Sequence, residues 1–264
     1  MALPRSFACI CYDSSIILAE SLQNQDAKTR LGKIKEYQKI LKLDVFIPPT
    51  VKNECSDRIT DIIGFIAALI REFEGYFRKR KSVDIRSKNI SFDDTKYVRE
   101  FFIEKQKPLK KFESESEILR RIEALIVSYM WERVKMYDTI SYYDLMTGMM
   151  VEIVGYSNLV RDNFKNILKN SLSITDNIDQ KLLQLLSNNP KLIKTAKKKP
   201  HDLQIICEVA AHQKSSKKWS ILVTLDASDM LNNAEEIDNL TNVKCVDPLY
   251  LPELVHSLRS QKVT

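Results

Sequence analysis

The chain has 264 residues, 44% of them hydrophobic, and carries 41 Lys and Arg against 35 Asp and Glu for a formal net charge of +6. The positive balance favours a polyanionic partner without dictating a fold. Its five glycines (Gly32, Gly64, Gly75, Gly148 and Gly155) are never closer than seven residues, which excludes the glycine-clustered loops that cradle dinucleotides or nucleoside phosphates. The five cysteines include no C-x-x-C pair, so a disulfide framework or zinc knuckle is not expected and a reducing compartment is. The longest strongly apolar run, 62–70, is nine residues, half of a membrane span. The N-terminus reaches Asp13 after only a short apolar stretch, which predicts no secretory leader and a cytoplasmic chain.

In chain order, 7–12 is a short β-prone apolar run that stops at Asp13-Ser14-Ser15, followed by a helix over 16–22. Leu31, Ile34, Tyr37, Ile40 and Leu41 then recur at helical period. A second strand, 44–47, is closed by Pro48-Pro49, and Thr50 starts the next helix because a proline pair cannot continue a strand and a hydroxyl can cap. Residues 57–195 lack strand-like alternation. There Ser91 can cap the helix carrying Tyr97, Val98, Phe101 and Phe102, and Ser114-Glu115-Ser116-Glu117 fits a capping box. Helices over 118–134, 142–154, 159–168 and 176–186 complete the stretch, with core packing expected of Tyr76, Phe77, Tyr97 and Phe101. Near Pro200 the alternation of strand and helix resumes. Asp202 opens a helix, Trp219 to Leu225 (W-S-I-L-V-T-L) is the clearest strand and ends at Asp226, and a helix over 234–240, a strand over 243–246 and a helix over 251–260 follow. This order predicts an α/β fold with a mostly parallel sheet flanked by helices. The sheet domain would be discontinuous, 1–56 and 196–264, opened once by an all-α insertion of 139 residues, 57–195.

Open α/β sheets place ligands at the carboxyl ends of their strands. At those positions stand Asp13 after the first strand, Glu54 in the helix after the second, Asp202 at the start of the helix before the clear strand, and Asp226 after it, with Asp229 three residues on. Each alone reads as a turn, cap or solvent-facing residue. Together, four converging acids repel unless cations neutralise them, and oxygen-only ligands select Mg²⁺ or Mn²⁺. Such a site can activate water and stabilise the leaving oxygen of an in-line phosphoryl displacement. The three histidines form no cluster and are expected at the surface, while Cys9 and Cys11 share a strand face and are expected in the core.

The segments C-Y-D-S-S, I-P-P-T-V-K-N-E, H-D-L-Q-I-I-C-E-V-A and L-V-T-L-D resemble, in order, the four acidic motifs of PIN-domain ribonucleases. The resemblance covers the 125 flanking residues and not the insertion. It implies a PIN-like parallel sheet, and a divalent-metal-dependent endoribonuclease in which Asp13, Glu54, Asp202 and Asp226 hold the metal and water is the nucleophile. Ser14 and Thr224 stand where small hydroxyl residues support the acids. Ser228 stands where many members have a further acid, for which Asp229 is the candidate substitute. A homodimer is the tendency of such proteins. Lys194, Lys197, Lys198 and Lys199, which lead into Asp202, and Lys217 and Lys218, which precede the clear strand, are the candidate RNA contacts, sequence-independent and salt-sensitive. Three roles compete: an RNA-processing nuclease whose insertion grips structured RNA, a toxin-type ribonuclease with an antitoxin partner, and a non-catalytic RNA-binding or assembly module.

Overall fold

The computed structural model describes residues 7–24, 27–81, 89–106, 113–172 and 178–258. Four short strands, β1 (Ala8–Tyr12), β2 (Asp44–Phe46), β3 (Trp219–Val223) and β4 (Lys244–Val246), form one parallel sheet in the order β2-β1-β3-β4. Every residue of β1 and β3 is buried, which is why both read as near-continuous apolar runs and not as alternating ones. Register runs Cys9 with Asp44 and Ser220, and Cys11 with Phe46 and Leu222, the latter in turn with Cys245. Leu172 adds a single bridge outside β2, donating its N–H to the Val45 carbonyl at 2.8 Å.

The helices are α1 (Ser14–Ser21), α2 (Lys28–Leu41), α3 (Pro49–Lys81), α4 (Thr95–Gln106), α5 (Glu113–Tyr137), α6 (Tyr142–Lys169), α7 (Gln180–Asn188), α8 (Ile193–Lys198), α9 (Pro200–Ser216), α10 (Ala234–Thr241) and α11 (Leu251–Leu258). The chain is therefore mostly helical around a small parallel sheet, an α/β arrangement with a helical insertion. Ser91 precedes a 3₁₀ turn, Phe92–Asp94, that leads into α4, and Asp94 accepts the Ser91 N–H at 2.9 Å. The Ser114 side chain lies outside the described residues, as do residues 173–177 at the start of the helix expected over 176–186; the helix found there, α7, is capped by Asp179, which accepts the Lys181 and Leu182 N–H groups. The helices expected over 142–154 and 159–168 are one. Gly155 breaks nothing because its neighbours Ile153, Tyr156 and Val160 are buried and hold the turns on either side.

Two compact units share the chain: Met1–Asp57 with Asp162–Thr264, and Arg58–Arg161. The first holds the whole sheet. It also takes the end of α6, α7 and α8, segments that helical periodicity had grouped with the insertion; α7 and α8 pack on α9. The second is helical and has an aromatic core in which Phe73, Phe77, Phe101 and Phe102 meet at ring separations of 5.2–6.4 Å. Phe77 and Phe101 are buried, as expected, whereas Tyr76 and Tyr97, expected in the same core, are only half-buried.

Within the sheet unit, α9 covers one face of the sheet. His212 on α9 is 1% exposed, stacks on Phe46 at 4.3 Å between ring centroids and has Nδ1 2.9 Å from the Ser220 hydroxyl. The surface placement expected for this histidine is thereby corrected: a buried ring stacked on Phe46, with a hydroxyl beside Nδ1, is a core residue. Cys9 and Cys11 are buried on that same face. Tyr12 points to the opposite face, where its hydroxyl approaches Gln38 of α2.

Candidate metal centre

From β1 the chain goes outward to β2, then crosses back to β3 on the other side of β1. The carboxyl ends of β1 and β3 therefore flank the point where strand order reverses, which is where open α/β sheets bind ligands. Asp13 follows β1 immediately, and its N–H is bonded to the Val223 carbonyl at the end of β3. The carboxylate is buried. Its Oδ2 accepts from the Ser15 hydroxyl and the Thr224 hydroxyl, both at 2.7 Å, while Ser14 is 3.5 Å from Oδ1. Ser15 also accepts the Leu225 N–H at 3.0 Å, and Thr224 accepts the Asp226 N–H at 2.9 Å. These two hydroxyls thus tie Asp13 to the loop that carries Asp226. Thr224 stood among the candidates; Ser15 did not.

Asp226 caps a single π-helical turn, Ala227–Leu231. Its Oδ1 accepts the Ser228 N–H at 2.9 Å, the Ser228 hydroxyl at 2.8 Å and the Asp229 N–H at 3.1 Å. That turn swings Asp229 back toward the sheet. One carboxylate oxygen each from Asp202, Asp226 and Asp229 lie within 4.8 Å of one another. The Lys199 ammonium stands among them, 2.7 Å from Asp226 Oδ2 and 2.8 Å from Asp229 Oδ2. Burial would raise the Asp226 carboxyl, yet the hydrogen bonds from Lys199 and Ser228 outweigh it and hold the group below the usual carboxylate range. The Lys199 ammonium, disfavoured by burial, is held charged well above its ordinary value by Asp226 and Asp229.

Asp202 is in the first turn of α9, where a helix N-terminus favours an anion. Its Oδ2 is buried without a hydrogen-bond partner among the described residues. Burial, then the charge of Asp13, push its carboxyl up to about 7, with Asp226 and Glu54 adding to the rise against the pull of Lys199. Glu54, in the second turn of α3, is raised by burial and by Asp13, opposed by a Ser14 hydrogen bond and by His201 and Lys199. Asp13 and Glu54 thus stand near enough to act on Asp202, while the tight carboxylate group is Asp202, Asp226 and Asp229.

Glu208, absent from the sequence-based candidates, is 6% exposed and accepts from the Thr50 hydroxyl at 2.7 Å and the Thr50 N–H at 3.0 Å. It ties α9 to the first turn of α3, the helices that carry Asp202 and Glu54. Thr50 is therefore capped by another residue and does not itself cap.

The lysines divide. Lys194, Lys197 and Lys198 are exposed on α8, next in the chain to the acids. Lys217 and Lys218 precede β3 and lie at the opposite, amino-terminal edge of the sheet, where Lys218 pairs with Asp44 at 2.5 Å. Lys199 is engaged by the carboxylates.

The three acids offer oxygen donors only, one of them buried and unpartnered, a set suited to a hard divalent cation. Among the described residues no helix is long and apolar enough to cross a membrane. Comparison with protein-family models, with curated proteins and with solved structures returns no match.

Proposed function

We propose that this chain is a divalent-metal-dependent endoribonuclease on a PIN-like fold, using Mg²⁺ or Mn²⁺ to hydrolyse RNA phosphodiester bonds. One observation carries the reading: the unpartnered buried Oδ2 of Asp202 beside Asp226 and Asp229, at the carboxyl edge where the strand order reverses. An uncompensated carboxylate oxygen costs about 1–3 kcal/mol or more, and a site tolerates it when a ligand completes it.

Asp202, Asp226 and Asp229 would hold the ion, with Asp13 and Glu54 beside them. A divalent ion bound there supplies acidified water and offsets the charge that develops on the phosphate. Asp13, pinned through one oxygen by Ser15 and Thr224, orients the attacking water. Glu54 has a raised pKa and access to solvent, which suits it to carry a proton. Lys194, Lys197 and Lys198 would meet the RNA backbone.

The test is cleavage of a mixed RNA pool with Mn²⁺ by wild type and by the Asp13→Asn, Asp202→Asn and Asp226→Asn variants. Loss of at least about a hundredfold in each variant is expected, the scale of removing one electrostatic catalytic group. Equal activity in all four proteins would refute the site, and an inactive wild type that still binds RNA would favour the non-catalytic module.

A further inference from the structure

A cavity of about 290 Å³ opens on the sheet unit, on the Tyr12 face of β1 and at the carboxyl ends of β1 and β2. Its lining is unusual in composition. Five primary amides converge on it from three directions: Gln23 after α1, Gln38 on α2, and Asn163 and Asn166 on α6 with Asn170 just past its end. The three asparagines are spaced three and four residues apart and so line one helix face. Its two charged residues, Glu20 and Lys35, neutralise each other at 2.7 Å. Neither an anion nor a cation therefore has an unpaired counter-charge in this lining.

What remains is a neutral pocket with donors and acceptors in pairs. The Tyr12 hydroxyl, kept protonated by burial and by the nearby Glu20, is 3.5 Å from the Gln38 carbonyl oxygen. Asn163 is occupied, donating to the Ser21 carbonyl at 3.2 Å, whereas the amides of Asn166 and Asn170 make no hydrogen bond among the described residues. Val45 and Ile167 supply apolar wall. Side-chain amides presenting one donor beside one acceptor match the edge of a nucleobase, and unpaired RNA bases are read in this way.

We propose that this cavity takes one unpaired nucleobase of a single-stranded RNA. The RNA part of the proposal rests on the nuclease reading above and deepens it: Tyr12 belongs to this pocket and the next residue, Asp13, to the acid site, so one strand end serves both. The cavity then supplies the sequence preference that phosphate contacts cannot.

The experiment measures binding of five-nucleotide single-stranded RNAs to the full chain in EDTA, where no cleavage occurs. An all-abasic ribose-phosphate strand of equal length and free nucleosides serve as competitors. Proteins compared are wild type, Asn166→Ala/Asn170→Ala and Gln38→Ala; all three substituted residues lie at the protein surface or half-buried, outside the acid site. Wild type is expected to prefer a base-bearing strand over the abasic one by about tenfold or more, to discriminate among bases, and to bind free nucleosides more weakly than strands. The double variant loses the base preference while retaining its affinity for the abasic strand. Preference retained in both variants, or equal binding of abasic and base-bearing strands by wild type, overturns the proposal. Free nucleosides binding as tightly as strands would also overturn it, assigning the pocket to a small molecule. Mn²⁺-dependent cleavage by the same proteins separates the two readings. If wild type is inactive but the variants lose base preference, only the nuclease reading fails; if wild type cleaves and the variants keep the preference, only the pocket fails.

Discussion

Replacing Asp202 by Asn should stabilise the metal-free protein at alkaline pH and leave it unchanged at acid pH. The Asp202 carboxyl is raised from an ordinary 3.8 to about 7, first by burial and then by Asp13. A rise of about three pH units at 1.36 kcal/mol each sets an upper bound of about 4 kcal/mol. Solvent reaches the group, so about half of that, ~2 kcal/mol, is the working figure. For the sign, the folded protein binds the Asp202 proton more tightly than the unfolded chain does. The associated stability is therefore complete below pH 4 and is lost as pH rises through about 7. Asparagine keeps the neutral form at every pH, so the variant should match wild type only below pH 4, gain on it as pH rises, and exceed it by ~2 kcal/mol at pH 8. Urea unfolding in EDTA measures this. The reporter is Trp219, 5% exposed on β3, in a Trp131→Phe background because Trp131 is 53% exposed and is the other tryptophan. A difference between variant and wild type that does not change with pH would refute the electrostatic account of the site.

Three further outcomes follow from the same geometry. Lys199→Met removes the cation between Asp226 and Asp229, so the metal-free protein should lose ~1 kcal/mol at pH 7 in urea unfolding, a figure kept small because the lysine is half exposed. Mn²⁺ should then bind about tenfold more tightly by electron paramagnetic resonance titration; unchanged affinity would mean that the ion and the ammonium do not compete. Thr224→Val keeps the shape but strips one hydrogen bond from Asp13 and the acceptor from the Asp226 N–H, costing ~2–3 kcal/mol, with Thr224→Ser recovering most of it in the same unfolding assay. Glu208→Ala leaves the Thr50 N–H without its partner at the start of α3 and should cost ~2 kcal/mol, while hydrogen exchange of the first α3 turn rises more than that of β1.

The strands and the acids were legible because both are local. W-S-I-L-V-T-L reads as a buried parallel strand wherever it lies, and an aspartate at its end is placed by the strand. What was not legible depends on partners distant in sequence. Nothing near His212 announces Phe46 and Ser220, so a lone histidine read as surface. Helical periodicity in 162–195 gives an apolar face without saying which core it meets, and these residues join the sheet unit. Glu208 looked like one more charged helix residue until α3 brought Thr50 to it. Lys199 belonged to a run of lysines that read as phosphate contacts; only the π-helical turn after Asp226, which brings Asp229 alongside, makes it an internal counter-ion.

The most direct measurement is anomalous X-ray scattering from crystals grown with Mn²⁺. A peak within about 2.1–2.3 Å of Asp202 and Asp226 oxygens, with the Lys199 ammonium withdrawn from Asp226 and Asp229, is the expected result. No peak among these carboxylates at millimolar Mn²⁺, with Lys199 still bridging them, would contradict the assignment of a metal centre.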